Sequence, residues 1–97
     1  MAESAGTRTL VVANVAGLHA RAATLIATTC RRFDAKVLVT KGVEQVEATD
    51  VLQLMCLAAA QGDSLLVEAT GPEAAQALEA LEDLFRRKFD EDEFAVE

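Results

Sequence analysis

The only histidine of the chain, His19, stands in the stretch "NVAGLHARAATL", residues 14–25, with Gly17 two residues before it and Arg21 two after. A neutral imidazole offers a nucleophilic nitrogen near neutral pH. The residues that follow read as a helix, and the first turn of a helix presents unpaired N–H groups and the positive end of its dipole. That is a ready-made anion site. Arg21 adds a guanidinium, whose donors match phosphate oxygens. Gly17 supplies the backbone freedom that a tight entry needs. The combination fits a histidine that accepts a phosphoryl group and holds it among donors. It competes with a plainer reading, a surface histidine or a local helix cap. Asn14 either orients the ring or simply shapes the loop. Hydrolysis fits poorly. No serine or cysteine nucleophile with an obvious base lies nearby, and there is no second histidine for a metal pair. No Walker-type or dinucleotide glycine loop occurs. No metal and no cofactor are expected.

The elements that must position these groups are legible from periodicity. "TRTLVVANV", residues 7–15, has the β-branched enrichment of a strand. From Ala20 to about Phe33, residues Ala23, Ile26, Ala27, Cys30 and Phe33 keep helical spacing, and Arg31 and Arg32 suit the helix C-terminus. Residues 35–42 and 43–48 form a hairpin about Gly42. Residues 48–62 make a shorter helix, capped by Thr49 or Asp50 and ended by Gly62. Residues 63–71 are a fourth strand. Pro72 opens a helix that carries Ala74, Ala77, Leu78, Leu81, Leu84, Phe85 and Phe89 on one side. The order β-α-β-β-α-β-α is broken by a hairpin, so it excludes a plain doubly wound sheet. It predicts an α+β open-faced sandwich, an antiparallel or mixed sheet with all helices on one face.

Ninety-seven residues suffice for one domain with a modest core. The expected division is a flexible leader over 1–7, a folded domain over 8–90 and an acidic flexible tail over 91–97. At 52% hydrophobic and 26% charged residues the composition is globular. No apolar run approaches the ~20 residues that span a bilayer. The N-terminal residues lack the basic and apolar regions of a secretory signal, so the cytoplasm is the expected compartment. Cys30 and Cys56 fall within predicted helices and outside any metal-ligand spacing, and both read as reduced, buried small hydrophobes. A net charge of −7 argues against nucleic acid. The closing "DEDEFAVE" reads as a solvated terminus.

"GLHARAA" resembles the active-site signature of HPr, the histidine-containing phosphocarrier family of the phosphoenolpyruvate-dependent phosphotransferase system, whose usual form is GLHARPA. The resemblance runs from about Thr9 to Asp92 and includes the element order. It implies four antiparallel strands in the order 1-4-2-3 with three helices on one face. It implies that enzyme I phosphorylates His19 on Nδ1 and that the phosphoryl group passes to an EIIA domain. Arg21 would neutralise the phosphate, with Asn14, Gly17 and Ala20 supporting the phosphate loop. Such a protein is itself phosphorylated and dephosphorylated rather than turning over a substrate, and a monomer suits a shuttle. "VEATGP" and the closing "FDED" are similar to the nitrogen-type, NPr-like branch, whose members mainly regulate and need not transport sugar, so the resemblance implies a role in sugar uptake or in nitrogen-type regulation.

Two positions depart from the family. Ala22 replaces the usual proline, and alanine is a good helix former, so phosphorylation is expected to survive. Asp50 replaces the serine that HPr kinase modifies in many members, so regulation by that kinase is expected to be absent. A carboxylate there caps the helix, and it also carries part of a phosphoserine's charge. In the family, charge at this position weakens the encounter with enzyme I, so the resemblance implies reduced acceptance from a typical enzyme I. Val51, Leu52 and Met55 match the apolar patch through which the family docks partners, and Ala20, Thr24 and Thr28 extend it. Leu54, Leu57 and Ala58 look like the buried side of the same helix. The competing function is a non-phosphorylated regulatory binding module of the same fold, which would keep the docking surface without the chemistry.

Overall fold

In the inner strands the buried apolar residues stand two apart, and that period of two sorts their side chains between a covered and an open face. In the computed structural model, which describes residues 5–91, β1 (Ala5–Val11), β2 (Lys36–Lys41), β3 (Glu44–Glu47) and β4 (Ser64–Thr70) form one antiparallel sheet in the order β1-β4-β2-β3. The register sets Leu10 opposite Leu65 and Val39 opposite Val67. These four side chains, with Val37 and Ala69, are buried. Helices α1 (Ala20–Arg31), α2 (Val51–Cys56) and α3 (Ala74–Arg86) cover that face. Helix α1 buries Ala22, Ala23, Ile26, Ala27 and Cys30, and α3 buries Ala74, Ala77, Leu78, Leu81, Leu84 and Phe85. Both are stripes at i, i+3, i+4 spacing. The result is the open-faced sandwich with the predicted order of strands and helices.

Several boundaries differ from the sequence reading. Strand β1 begins at Ala5, inside the span read as a leader, and it ends at Val11 rather than Val15. Val11 pairs with Ser64, the first residue of β4. Beyond it the partner chain turns, with Val12 N–H donating to Asp63 O at 2.9 Å and Gly62 N–H to Val12 O at 2.8 Å. Residues 12–19 are therefore a loop. Helix α2 stops at Cys56, well short of Gly62. Past its end Ala58 takes φ +52°, and Lys41 Nζ donates to the carbonyls of Leu57 and Ala58 at 3.1 and 3.2 Å. Such a short helix buries only Leu54.

Cys56 is consequently exposed, not a buried hydrophobe as its position in a longer helix implied. Ala58 is exposed too, unlike Leu57. Cys30 is buried, and burial pushes its thiol up to about 12. Helix α3 starts after Pro72, at Ala74, and Glu73 accepts the Asp34 N–H at 2.7 Å instead of capping its own helix. Residues 1–4 and 92–97, which include nearly all of the expected acidic tail, lie outside the described residues. No helix among the described residues is long and apolar enough to cross a membrane.

Candidate functional site

The loop after β1 brings the histidine to the start of α1 through a glycine whose conformation and surroundings disfavour any side chain. Gly17 has φ +72°, and a Cβ added there would stand 2.5 Å from the Ala59 carbonyl oxygen. Next in the chain, Leu18 N–H donates to that carbonyl at 3.0 Å, which fixes the loop against the segment after α2. Leu18 itself is buried. His19 is then the N-cap of α1, with extended backbone (φ −77°, ψ −177°). Its carbonyl accepts the Ala23 N–H at 2.9 Å, one helical turn on. Its Nδ1 accepts the Arg21 N–H at 3.3 Å. Nδ1 thus faces the amide end of α1, where the unpaired donors and the helix dipole favour negative charge. The side chain is 36% exposed.

The other side of the ring is met by a segment far away in sequence. Phe89 is fully buried and packs edge-on against Phe85, with ring centroids 4.9 Å apart. Lys88, Phe89 and Asp90 all take positive φ, at +56°, +57° and +60°. Three successive non-glycine residues in this region carry strain. Arg87 braces the turn, with Nη1 donating to both Asp90 oxygens at 2.6 and 2.7 Å and Nε donating to Asp83 at 2.9 Å. The turn places the Phe89 carbonyl 3.3 Å from Arg21 Nη1. It also places the Glu91 carboxylate against His19 Nε2. Asn14, fully buried, donates from Nδ2 to Gly17 O at 2.8 Å and to Glu91 Oε1 at 3.2 Å. Asn14 therefore bonds to the loop and to the carboxylate that meets the ring.

Chemically, this ring is differentiated. Nε2 lies against a carboxylate, while Nδ1 points to the helix amides. A lone pair on Nδ1 can attack an electrophile whose product is an anion, and the surrounding donors favour that product.

The remaining predicted positions are distributed as follows. Arg21 and Ala20 are exposed in the first turn of α1, and Thr24 and Thr28 are exposed further along it. Ala22 is fully buried, so its methyl group belongs to the core. Asp50 caps α2, accepting the Gln53 N–H at 3.1 Å. Arg31 Nη2 donates to the Thr49 carbonyl at 2.7 Å and ties the end of α1 to that cap. Leu52 is 73% exposed and Met55 37%, while Val51 packs against the core. Helix α2 lies against α1, so these residues and the exposed side of α1 belong to neighbouring elements. Sequence reasoning missed Glu91 and the Phe89 carbonyl. The available signal was Phe89 itself, whose place on the apolar stripe of the closing helix required the chain to stay docked up to the boundary of the supposed tail.

Comparison with known proteins bears on this arrangement. The family model described as "PTS HPr component phosphorylation site" matches residues 7–87. The phosphocarrier protein HPr of Treponema pallidum (strain Nichols) is 39% identical over 85 residues, covering 88% of this chain and 97% of that protein. The phosphocarrier protein NPr of Escherichia coli (strain K12) is 41% identical over 87 residues, covering 88% and 96%. Among solved structures, HPr-C-His from Thermoanaerobacter tengcongensis superposes with a TM-score of 0.86 at 33% identity, covering 90% of this chain and 98% of that one.

Proposed function

The chain belongs to the HPr family of phosphocarrier proteins of the phosphotransferase system, and from that premise we propose that His19 accepts a phosphoryl group on Nδ1 from phosphorylated enzyme I and passes it to an EIIA domain. The observation that carries this reading is the orientation of the ring. Nδ1 faces the Arg21 N–H at the helix start, where a phosphate would meet unpaired amides. Arg21, exposed two residues on, supplies a guanidinium that a phosphate on the ring would draw from the Phe89 carbonyl. The Nδ1 lone pair attacks phosphorus, a P–N bond forms, and the bond between phosphorus and the donor breaks. The protein is then a carrier that is restored only when an acceptor removes the group.

Partner contact is assigned to the exposed side chains of Leu52 and Met55 with Ala20, Thr24 and Thr28 of α1. Methionine adapts to more than one partner surface. Within the family, "VEATGP" and the closing "FDED" favour the nitrogen-type branch and a regulatory role. Asp50 is exposed at the head of α2, and its charge there slows acceptance from enzyme I.

The test is incubation with phosphoenolpyruvate and each enzyme I of the same genome, followed by detection of an acid-labile phosphoryl adduct. Wild type is labelled and His19→Ala is not. Equal labelling of the two proteins, or none of wild type, sinks the carrier reading and leaves a binding module. Asp50→Ser is phosphorylated faster than wild type, and an equal rate removes the charge argument.

A further inference from the structure

The left-handed turn at residues 88–90 is costly, and its product is a carboxylate on the unreactive side of the histidine. We infer that Glu91 is a positioning residue for phosphoryl transfer, one that holds the His19 proton on Nε2 and so keeps the lone pair on Nδ1. This rests on the phosphocarrier reading of His19 and deepens it.

The geometry supports it at each link. A neutral imidazole has one N–H and one lone pair, and the partner of one nitrogen decides which is which. A carboxylate only accepts, so Glu91 against Nε2 requires the proton there. Nδ1 must then accept, as it does from the Arg21 N–H. Glu91 is itself fixed. Its side chain is 15% exposed, Asn14 Nδ2 donates to its other oxygen at 3.2 Å, and the buried Phe89 anchors the chain two residues before it. Arg21 Nη1 on the Phe89 carbonyl secures the same turn from the side of α1. Three left-handed residues in a row would relax if nothing held them. Here a core ring, two aspartates on Arg87 and the site itself hold them.

The consequence for the reaction is a matter of charge. When Nδ1 bonds phosphorus, the Nε2 proton stays in place, and the ring becomes a cation facing the Glu91 carboxylate. On transfer to the acceptor the P–N bond breaks, its electron pair returns to Nδ1, and a neutral imidazole leaves. Without the carboxylate the proton has no fixed seat, and the tautomer with the proton on Nδ1 has no lone pair to attack with.

The experiment reads the ring directly. Histidine labelled with 15N is observed by long-range proton–nitrogen correlation at about pH 9, above the ordinary imidazole range, in wild type, Glu91→Ala and Glu91→Gln. Wild type shows the proton on Nε2. Glu91→Ala shows a severalfold larger fraction with the proton on Nδ1, and phosphorylation by enzyme I slows about tenfold, with little change in melting temperature. Glu91→Gln, whose amide oxygen still accepts, returns the tautomer ratio towards wild type. A wild-type ring protonated mainly on Nδ1, a ratio unaffected by Glu91→Ala, or an altered ratio at an unaltered rate overturns the inference. Wild type that enzyme I never labels overturns the phosphocarrier reading instead, and the ring spectra report on Glu91 independently of that.

Discussion

At Gly17 two constraints coincide, a φ of +72° and a carbonyl 2.5 Å from where a Cβ would stand. Backbone cannot move aside as a flexible side chain can. Gly17→Ala is therefore expected to lower stability by about 2 kcal/mol or more and to displace the Leu18 and His19 that follow. Urea unfolding measures the first effect, and an unchanged midpoint contradicts it. The two cysteines make a second contrast at this scale. Cys56 reacts quickly with a thiol reagent, whereas Cys30 reacts only after unfolding, because thiolate is the reactive form and Cys30 is buried. Burial raises Cys30 from 9.0 to about 12. The folded state thus keeps the thiol neutral while the unfolded state ionises it. Its contribution is complete below about pH 9 and is lost as pH rises towards 12, by on the order of 4 kcal/mol. Stability curves of wild type and Cys30→Ala taken between those limits should converge as pH rises.

The elements that matter for the site are short and held from outside. Helix α2 has six residues, too few to persist alone. Its cap is Asp50, and Asp50→Ala is expected to cost about 1 kcal/mol. The Gln53 amide, which Asp50 accepts, should then exchange faster with solvent. The turn after α3 depends on Phe89, which is fully buried against Phe85. Phe89→Ala is expected to cost about 3–5 kcal/mol, whereas Phe89→Leu should cost about 1.5 kcal/mol or less. If the turn serves His19 as inferred, only the alanine variant should also disturb the ring nitrogens. Identical ring spectra in an alanine variant that remains folded would separate the anchor from the site.

Across the whole molecule, stability is concentrated where long-range pairing is densest. Strand β4 lies between β1 and β2, bonded on both sides, while β3, among the described residues, pairs only with β2. Amide hydrogen exchange is expected to be slowest in Leu65–Ala69 and fast in the hairpin around Gly42. Comparable rates in the two would contradict this order. Much of this architecture is local information. The β-branched enrichment of residues 7–15, helical spacing from Ala23 to Cys30, the Asp50 cap and the turn at Gly42 each depend on neighbours in sequence, so they can be read without coordinates. The pairing of His19 with a helix start is of the same kind. Boundaries were harder, because a strand ends where its partner turns away, as β1 does opposite Ser64. The length of α2 escaped for a related reason, since Lys41 of a distant strand takes the carbonyls just past its end. Glu91 shows the limit most clearly. It stands 72 residues from His19, in a run of acids that looks like any solvated tail. By itself the sequence determined a nucleophilic ring at a helix N-terminus with an arginine beside it. Only the folded chain decided which ring nitrogen faces the helix, because that choice is made by a carboxylate that a buried phenylalanine and a left-handed turn carry across the molecule.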